Sequence, residues 1–146
     1  MSRATLKKSI GEAGAFFGDS HGEDNLLAVL TALASAGETI GYSQATPTAS
    51  VKGALLCDVK SKLSNIYVKV GTCGTAGQTD FDVNVNGVQV AQLSVDNAET
   101  DGISKGLAID LDLDPGDLVE LEVTAVATGV ADASATVRIR PVTLET

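Results

Sequence analysis

Residues 81–90 (FDVNVNGVQV) constrain the fold more than any other part of the chain. Apolar and polar side chains alternate on both sides of the pair Asn86 and Gly87. An Asn-Gly pair adopts the positive φ angles of a type I′ turn, and a period of two gives each flanking strand one buried face and one exposed face. The segment is therefore predicted to form a β-hairpin.

The same alternation recurs through the C-terminal two thirds of the chain. Period-2 runs at residues 107–113, 118–126 and 133–139 are typical of antiparallel strands in a sandwich, with acids on the exposed faces. Asp114, Pro115, Gly116 and Asp117 predict a tight turn, because proline fixes φ and glycine accepts a positive φ. The predicted strands lie near residues 51–60, 64–71, 79–86, 88–95, 106–113, 118–127 and 134–142, and an eighth can be placed before Val51. This spacing predicts an all-β sandwich or barrel.

Size and charge exclude several classes of protein. A chain of 146 residues suits one domain with its own core. Aromatic residues make up only 3% of it, so Val, Leu, Ile and Ala must fill that core. The formal net charge of −9 disfavours binding to nucleic acid or to an anionic membrane, since both require clustered Lys and Arg.

The first 50 residues differ from the rest, so we divide the chain into residues 1–50 (arm, helix and linker) and residues 51–146 (sandwich). Residues 1–22 have no sustained periodicity and are mildly basic, and residues 37–50 are polar and loop-like. Residues 24–36 predict a helix that Asp24 caps and Gly37 ends. This helix is apolar on almost every side, so it must be buried, either over its own sandwich or between subunits.

The arm and the helix supply the candidate partner-binding residues. Two large rings and three basic groups on an otherwise soluble arm need a surface to pack on, which is either the protein's own body or a partner. The candidates are Arg3, Lys7, Lys8, Phe16, Phe17, Leu26, Leu30 and Leu33.

The acids Asp110, Asp112, Asp114 and Asp117 resemble the start of a calcium loop, in which alternate carboxylates converge on the ion. However, Leu107, Ile109, Leu111 and Leu113 alternate with them, which places the acids on the solvent face of an extended strand. No Glu stands at the closing position of such a loop. We therefore predict a strand and a turn here and no metal site.

The remaining candidate sites are incomplete. His21 is the only histidine and lies beside Asp19 and Ser20 in the arm, whereas a catalytic triad needs a histidine held by a rigid partner. Residues 71–77 have the glycines of a phosphate loop but lack its Lys and the helix that should follow, so they predict an inter-strand loop. Cys57 and Cys73 do not form a disulfide framework and are expected to be reduced. We predict no catalytic residue, no cofactor and no enzymatic activity.

Residues 65–142 resemble the β-sandwich modules of tailed-bacteriophage virion proteins, especially head decoration (cement) proteins and tail-fibre domains. The resemblance rests on the segments IYVKVGT (66–72), FDVNVNGV (81–88) and LDLDPGDLVELEV (111–123), and on Gly129 followed by Ala-Asp-Ala within the last loop and strand. It implies a jelly roll, assembly into dimers or trimers, and a place on a capsid or tail.

This resemblance and the arm together lead to a functional hypothesis. We expect a capsid decoration protein that is made in the host cytoplasm, binds the outside of the phage head as a trimer or dimer, and bridges neighbouring major capsid protein subunits. Many small contacts multiplied by avidity would stabilise the shell. The alternative is a tail-fibre or receptor-binding domain that recognises a host glycan, although the sandwich offers only Tyr42, Tyr67 and Phe81 as rings. A small hydrolase using residues 19–21 is a third hypothesis.

Overall fold

A computed structural model describes residues 37–142 of the chain. These residues form eight β-strands and no helix, and within them no helix is long and apolar enough to cross a membrane. The strands are β1 (Glu38–Gln44), β2 (Ser50–Leu56), β3 (Ser61–Thr72), β4 (Gln78–Val85), β5 (Val88–Asp96), β6 (Ile103–Leu113), β7 (Leu118–Ala125) and β8 (Ala131–Pro141). The predicted arm and the predicted helix at residues 24–36 lie outside the described residues.

The strands form two antiparallel sheets of four strands each. Sheet A has the order β1-β8-β3-β6 and sheet B the order β2-β7-β4-β5. The first strand pairs with the last, the second with the seventh, the third with the sixth and the fourth with the fifth. This nested pairing is the arrangement of an eight-stranded jelly roll. The prediction of an antiparallel sandwich with seven or eight strands is confirmed.

Turn chemistry sets the ends of the strands as the sequence predicts. Asn86 and Gly87 have φ angles of 51° and 80°, as a type I′ turn requires, and they join β4 to β5. Between β6 and β7, Gly116 has a φ of 94°, and the amide of Asp117 donates to the carbonyl of Asp114 at 3.1 Å. Both predicted turns are confirmed.

The core lies between the sheets and is mostly aliphatic. Phe81 of β4 is fully buried, as its strand parity predicts, and its ring centroid lies 6.5 Å from that of Tyr42. Leu63 and Ile66 of β3 and Leu121 of β7 belong to the same buried cluster. Alternate positions on strands of both sheets therefore supply one shared interior.

Strand β1 lies in the segment that the sequence analysis assigned to a polar linker. It pairs along its whole length with β8, and Ile40 is buried with only 5% of its surface exposed. The linker interpretation is wrong for these residues, whereas the eighth strand that the sequence allowed before Val51 is present as β1. The alternation was hard to recognise because β1 is an edge strand with a single fully buried side chain, and its other positions are Gly, Tyr or polar residues.

The two ends of the described chain leave the sandwich at the same end. Glu38 pairs with Ile139, and the amide of Val142 donates to the carbonyl of Lys60 at 2.9 Å. The turn after β6 lies at this end too, because the amide of Cys57 donates to the carbonyl of Asp117. The first and last described residues, Gly37 and Val142, therefore lie at one end of the sandwich, which we call the tether end.

Candidate functional site

The partner-binding residues proposed from the sequence all precede residue 37 and lie outside the described residues. Their role stays a prediction, as does that of His21. They are Arg3, Lys7, Lys8, Phe16, Phe17, Leu26, Leu30 and Leu33.

The acidic string of β6 forms surface ion pairs. Asp110 and Asp112 are each 77% exposed at the side chain, and the Nζ of Lys62 lies 3.1 Å and 3.7 Å from their carboxylates. The hydrogen bond that Lys62 donates to Asp110 is the main cause that raises the pKa of Lys62. Asp110 has a φ of 55°, so the strand is bulged at that point, but the acids face solvent as predicted. Within residues 37–142, no three side chains of His, Cys, Asp or Glu are grouped so that they could hold a metal ion.

The glycine-rich segment after β3 is an inter-strand loop, as predicted. Gly74 has a φ of 99°, and a Cβ there would lie 2.5 Å from the carbonyl oxygen of Thr128. The amide of Thr75 donates to that same oxygen at 2.8 Å. Gly74 therefore lets this loop approach the loop after β7 closely. The Thr75 amide is occupied by a hydrogen bond within the protein.

The outer faces of the two sheets differ in charge. The sequence predicted acids on the exposed faces, and Asp110 and Asp112 of sheet A follow that prediction, but sheet A also exposes basic side chains that it did not predict. Directly opposed residues of an antiparallel pair share a face, and the register places Lys69 opposite Ser134, Arg138 opposite Asn65, and Arg140 opposite Lys62. The outer face of sheet A therefore carries the basic residues Lys62, Lys69, Arg138 and Arg140 together with the acids Asp110, Asp112 and Asp132.

The outer face of sheet B is acidic. Asp82 lies opposite Glu122, and Asn84 lies opposite Glu120. Asp80 and Asp82 are buried, and their carboxylates accept hydrogen bonds from neighbours on the same face: Gln78 at 2.9 Å and Ser94 at 2.5 Å for Asp80, and Gln92 at 2.9 Å for Asp82. The bonds from Gln92 and Ser94 join β5 to β4, whereas the bond from Gln78 lies within β4.

Tyr67 stands near the middle of the outer face of sheet A with 54% of its surface exposed. It lies between Thr136 of β8 and Gly106 of β6. A Cβ on Gly106 would lie 2.8 Å from Cε1 and 2.9 Å from Cδ1 of the ring, so the ring rests on the bare backbone of that glycine. The side-chain amide of Asn65 donates a hydrogen bond to the Tyr67 hydroxyl at 3.2 Å, which leaves the hydroxyl hydrogen available to another acceptor.

A depression of about 420 Å³ opens beside this ring and spans β6, β3 and β8. Lys69 lies on its wall between Ser104 and Ser134, its partners on the two neighbouring strands. Arg138 lies opposite Asn65, two residues along β8 from Thr136, the partner of Tyr67. We call the following group the Tyr67 patch: Asn65, Tyr67, Lys69, Gly106, Thr136 and Arg138.

Sequence reasoning noted Tyr67 as a ring but did not identify the patch. The run from Asn65 to Lys69 alternates polar side chains with Ile66 and Val68, which does place Asn65, Tyr67 and Lys69 on one exposed face. Gly106 and Arg138 come from other strands, and only the register brings them alongside. The alternation within β3 could therefore predict that Asn65, Tyr67 and Lys69 share a face. Nothing in the sequence could predict that Gly106 and Arg138 lie beside them.

No protein-family model and no curated protein matches the chain. Solved structures similar to it include a family 35 carbohydrate-binding module from an environmental isolate, with 17% identity, 77% of this chain and 75% of that chain covered, and a TM-score of 0.37. A chain of infectious bursal disease virus, Gx strain, has 14% identity over 73% of this chain and 31% of that chain, with a TM-score of 0.36. The module CBM36 in complex with calcium and xylotriose has 19% identity over 73% of this chain and 72% of that chain, with a TM-score of 0.33. These TM-scores are too low for the likeness to indicate a shared function.

Proposed function

We propose that the chain is a non-enzymatic structural protein of a virion, which decorates the outside of a capsid and bridges neighbouring subunits of the major capsid protein. The observation that carries the proposal is that both ends of the described chain, residues 37 and 142, lie at one end of a jelly roll. In this proposal the arm binds the shell and the sandwich is the head that faces solvent.

The sequence of the arm supports the same layout. Phe16, Phe17 and the basic residues Arg3, Lys7 and Lys8 precede the sandwich, and they supply apolar anchors and charge for docking on a protein surface. The resemblance of residues 65–142 to modules of tailed-phage virion proteins suggests which surface that is. We infer a homo-oligomer, a trimer or alternatively a dimer, because several arms on one particle would bind with avidity.

The proposal is tested by adding the purified full-length chain to capsids assembled without it. We expect saturable co-sedimentation and a higher melting temperature of the capsid, and light scattering should give the mass of a trimer or dimer. A chain that neither co-sediments with capsids nor raises their melting temperature would contradict the proposal.

Substitutions in the arm test the tether separately. The double variant Phe16→Ala/Phe17→Ala should bind capsids at least about tenfold more weakly, since large buried aromatic anchors dominate binding energies. Val88→Ala is the matched control, because Val88 is 66% exposed on the sandwich and lies outside the arm. Equal capsid binding by the double variant and the wild type would show that the two rings are not the anchors.

A further inference from the structure

Tyr67 has the placement of a binding platform and not that of a core residue. The Cδ1 and Cε1 atoms of its ring lie close to Gly106, and more than half of its surface is exposed. The contact with Gly106 and the hydrogen bond from Asn65 hold the ring in place before any ligand arrives. A fixed aromatic ring costs little conformational entropy on binding, and its apolar face accepts the C–H groups of a sugar ring.

The neighbours of Tyr67 supply polar and cationic groups at regular spacing. Alternate residues on a strand lie about 6.6 Å apart and adjacent strands about 4.8 Å apart. Lys69 and Arg138 therefore flank the ring within the reach of a small oligosaccharide. The hydroxyls of Ser104, Ser134 and Thr136, which line the depression, suit the hydroxyl groups of such a ligand.

The charge of the patch selects an acidic ligand. Lys69 and Arg138 are both cationic, and among the described residues no acid lines the depression. On the same face, Asp110 and Asp112 are engaged by Lys62, and Asp132 lies opposite Gly71, two residues from Ser134. The acids Asp80, Asp82, Glu120 and Glu122 occupy the other sheet. An arginine guanidinium binds a carboxylate through two parallel hydrogen bonds. Two cations on a protein of net charge −9 are too few for nucleic acid, whose binding requires many phosphate contacts.

We propose that the Tyr67 patch binds a carboxylate-bearing oligosaccharide, with a sugar ring on Tyr67 and its carboxylate held by Arg138 and Lys69. This goes beyond the decoration of a capsid, because it gives the solvent-facing head of the tethered protein an adhesive activity of its own. The site is shallow and has one ring, so a dissociation constant of about 0.1–1 mM is expected for a single patch. Several copies on one particle would raise the apparent affinity.

The test uses the full-length chain and matched pairs of trisaccharides. The probes are trimers of galacturonate, glucuronate and N-acetylneuraminate, each paired with its methyl ester, which keeps the rings and removes the charge. We expect at least one acidic trimer to shift the amide signals of Tyr67 and its neighbours in nuclear magnetic resonance titrations, and its ester to bind at least tenfold more weakly. Saturation by none of the acidic trimers at 10 mM, or equal binding of acid and ester, would overturn the proposal.

Variants tie the binding to the patch. Tyr67→Ala should weaken binding at least tenfold, whereas Tyr67→Phe keeps the ring and should retain most of it. Lys69→Gln should weaken binding and reduce its salt dependence, while Lys60→Gln makes the same change of charge on an exposed loop residue and should have no effect. Gly106→Val should displace the ring and weaken binding, and if that variant does not fold, the Tyr67 variants still decide the question.

Two controls separate this inference from its alternatives. Hexaglutamate binding as tightly as the sugar acids would show that the patch accepts acidic peptide, which would overturn the carbohydrate assignment. Capsid binding should be unchanged by Tyr67→Ala, so failure of the decoration proposal and failure of the glycan site are distinguishable. Sugar binding by a chain that does not bind capsids would support this inference and favour the receptor-binding alternative for the whole protein.

Discussion

Asn86 and Gly87 show how single residues specify this fold through backbone conformation. Both have positive φ angles, which side chains with a Cβ adopt at a cost except for Asn and Asp. Asp110 and Asp132 are the other non-glycine residues with a positive φ among those described, each at 55°, and both lie within strands of sheet A. At these positions the residue type is dictated by the backbone.

Gly87→Ala is expected to lower the free energy of unfolding by about 1–2 kcal/mol, because alanine is strained at a φ of 80°. Gly41→Ala is the control: a Cβ there meets nothing within 4 Å and its φ is not in the left-handed region, so a change of less than about 1 kcal/mol is expected. Urea denaturation followed by circular dichroism measures both. Equal losses in the two variants would contradict the turn argument.

Phe81 and Tyr67 are the buried and the exposed aromatic positions of this sandwich. Phe81→Ala should destabilise the protein by about 3–5 kcal/mol, since it removes a fully buried ring and leaves a cavity. Tyr67→Ala should cost less than about 1 kcal/mol because the ring is 54% exposed. A large loss of stability in Tyr67→Ala, measured by thermal unfolding, would mean that this ring is a structural residue.

At the scale of elements, the turn after β6 is joined to the hairpin turn between β4 and β5. The carboxylate of Asp117 accepts hydrogen bonds from the amide of Asp114 at 2.9 Å and from the side chain of Asn86 at 2.9 Å. Asn86 in turn accepts one from the amide of Leu118 at 3.0 Å. Two turns that are distant in sequence are thereby held together at the tether end.

This network predicts a pH-dependent contribution to stability. The hydrogen bond from Asn86 and that from the Asp114 amide lower the pKa of Asp117, so the folded state favours the ionised carboxylate. The contribution is fully present above the unfolded pKa of about 3.9 and is lost as the pH falls through the lower folded pKa. Asp117→Asn should therefore be less stable than the wild type at pH 7, with a difference that shrinks below pH 4.

Asp114→Asn is the matched control for this pH experiment. It makes the same change of charge in the same turn, and within residues 37–142 the Asp114 side chain has no hydrogen bond to lose. Its stability should follow that of the wild type between pH 2 and pH 7 in denaturant titrations. A pH-independent difference for Asp117→Asn would mean that the network does not depend on ionisation.

At the scale of the whole molecule, the nested pairing of strands places the two cysteines at opposite ends of the sandwich. Cys57 lies at the tether end, beside Asp117, whereas Cys73 follows β3 at the opposite end. The 12 residues of β3 between them span about 35 Å, and a disulfide needs Cα atoms within about 7 Å. Both cysteines are free and buried, as the sequence analysis expected of reduced thiols.

Burial is the main cause that raises the pKa of both thiols, so little thiolate exists at neutral pH. We expect Ellman's reagent to react with the native protein at least about a hundredfold more slowly than with the protein in 6 M guanidinium chloride, because reaction requires opening of the fold. Mass spectrometry after mild oxidation should find no bond between Cys57 and Cys73. Rapid reaction of either thiol in the native state would contradict their burial.

The sequence by itself determined the local structure of residues 51–142. Strand alternation is a property of neighbouring residues with a period of two, and turns such as Asn86-Gly87 and Asp114 to Asp117 depend on the φ preferences of their own residues. The inward direction of Phe81, the exposed acids of β6 and the loop nature of residues 73–77 could all be predicted on this basis. The position of β1 could not, although an eighth strand before Val51 was allowed, because an edge strand with one fully buried side chain carries too little alternation.

Only the tertiary structure decided which residues meet across strands. Gly106 lies under Tyr67 and Arg138 lies beside Asn65 because of the register of β3 with β6 and β8, and that register follows from the packing of the whole sandwich. The grouping of Lys62, Lys69, Arg138 and Arg140 on the outer face of sheet A, and the exit of both ends of the described chain at one end, have the same origin. Each depends on pairings between segments far apart in sequence, which local alternation does not specify.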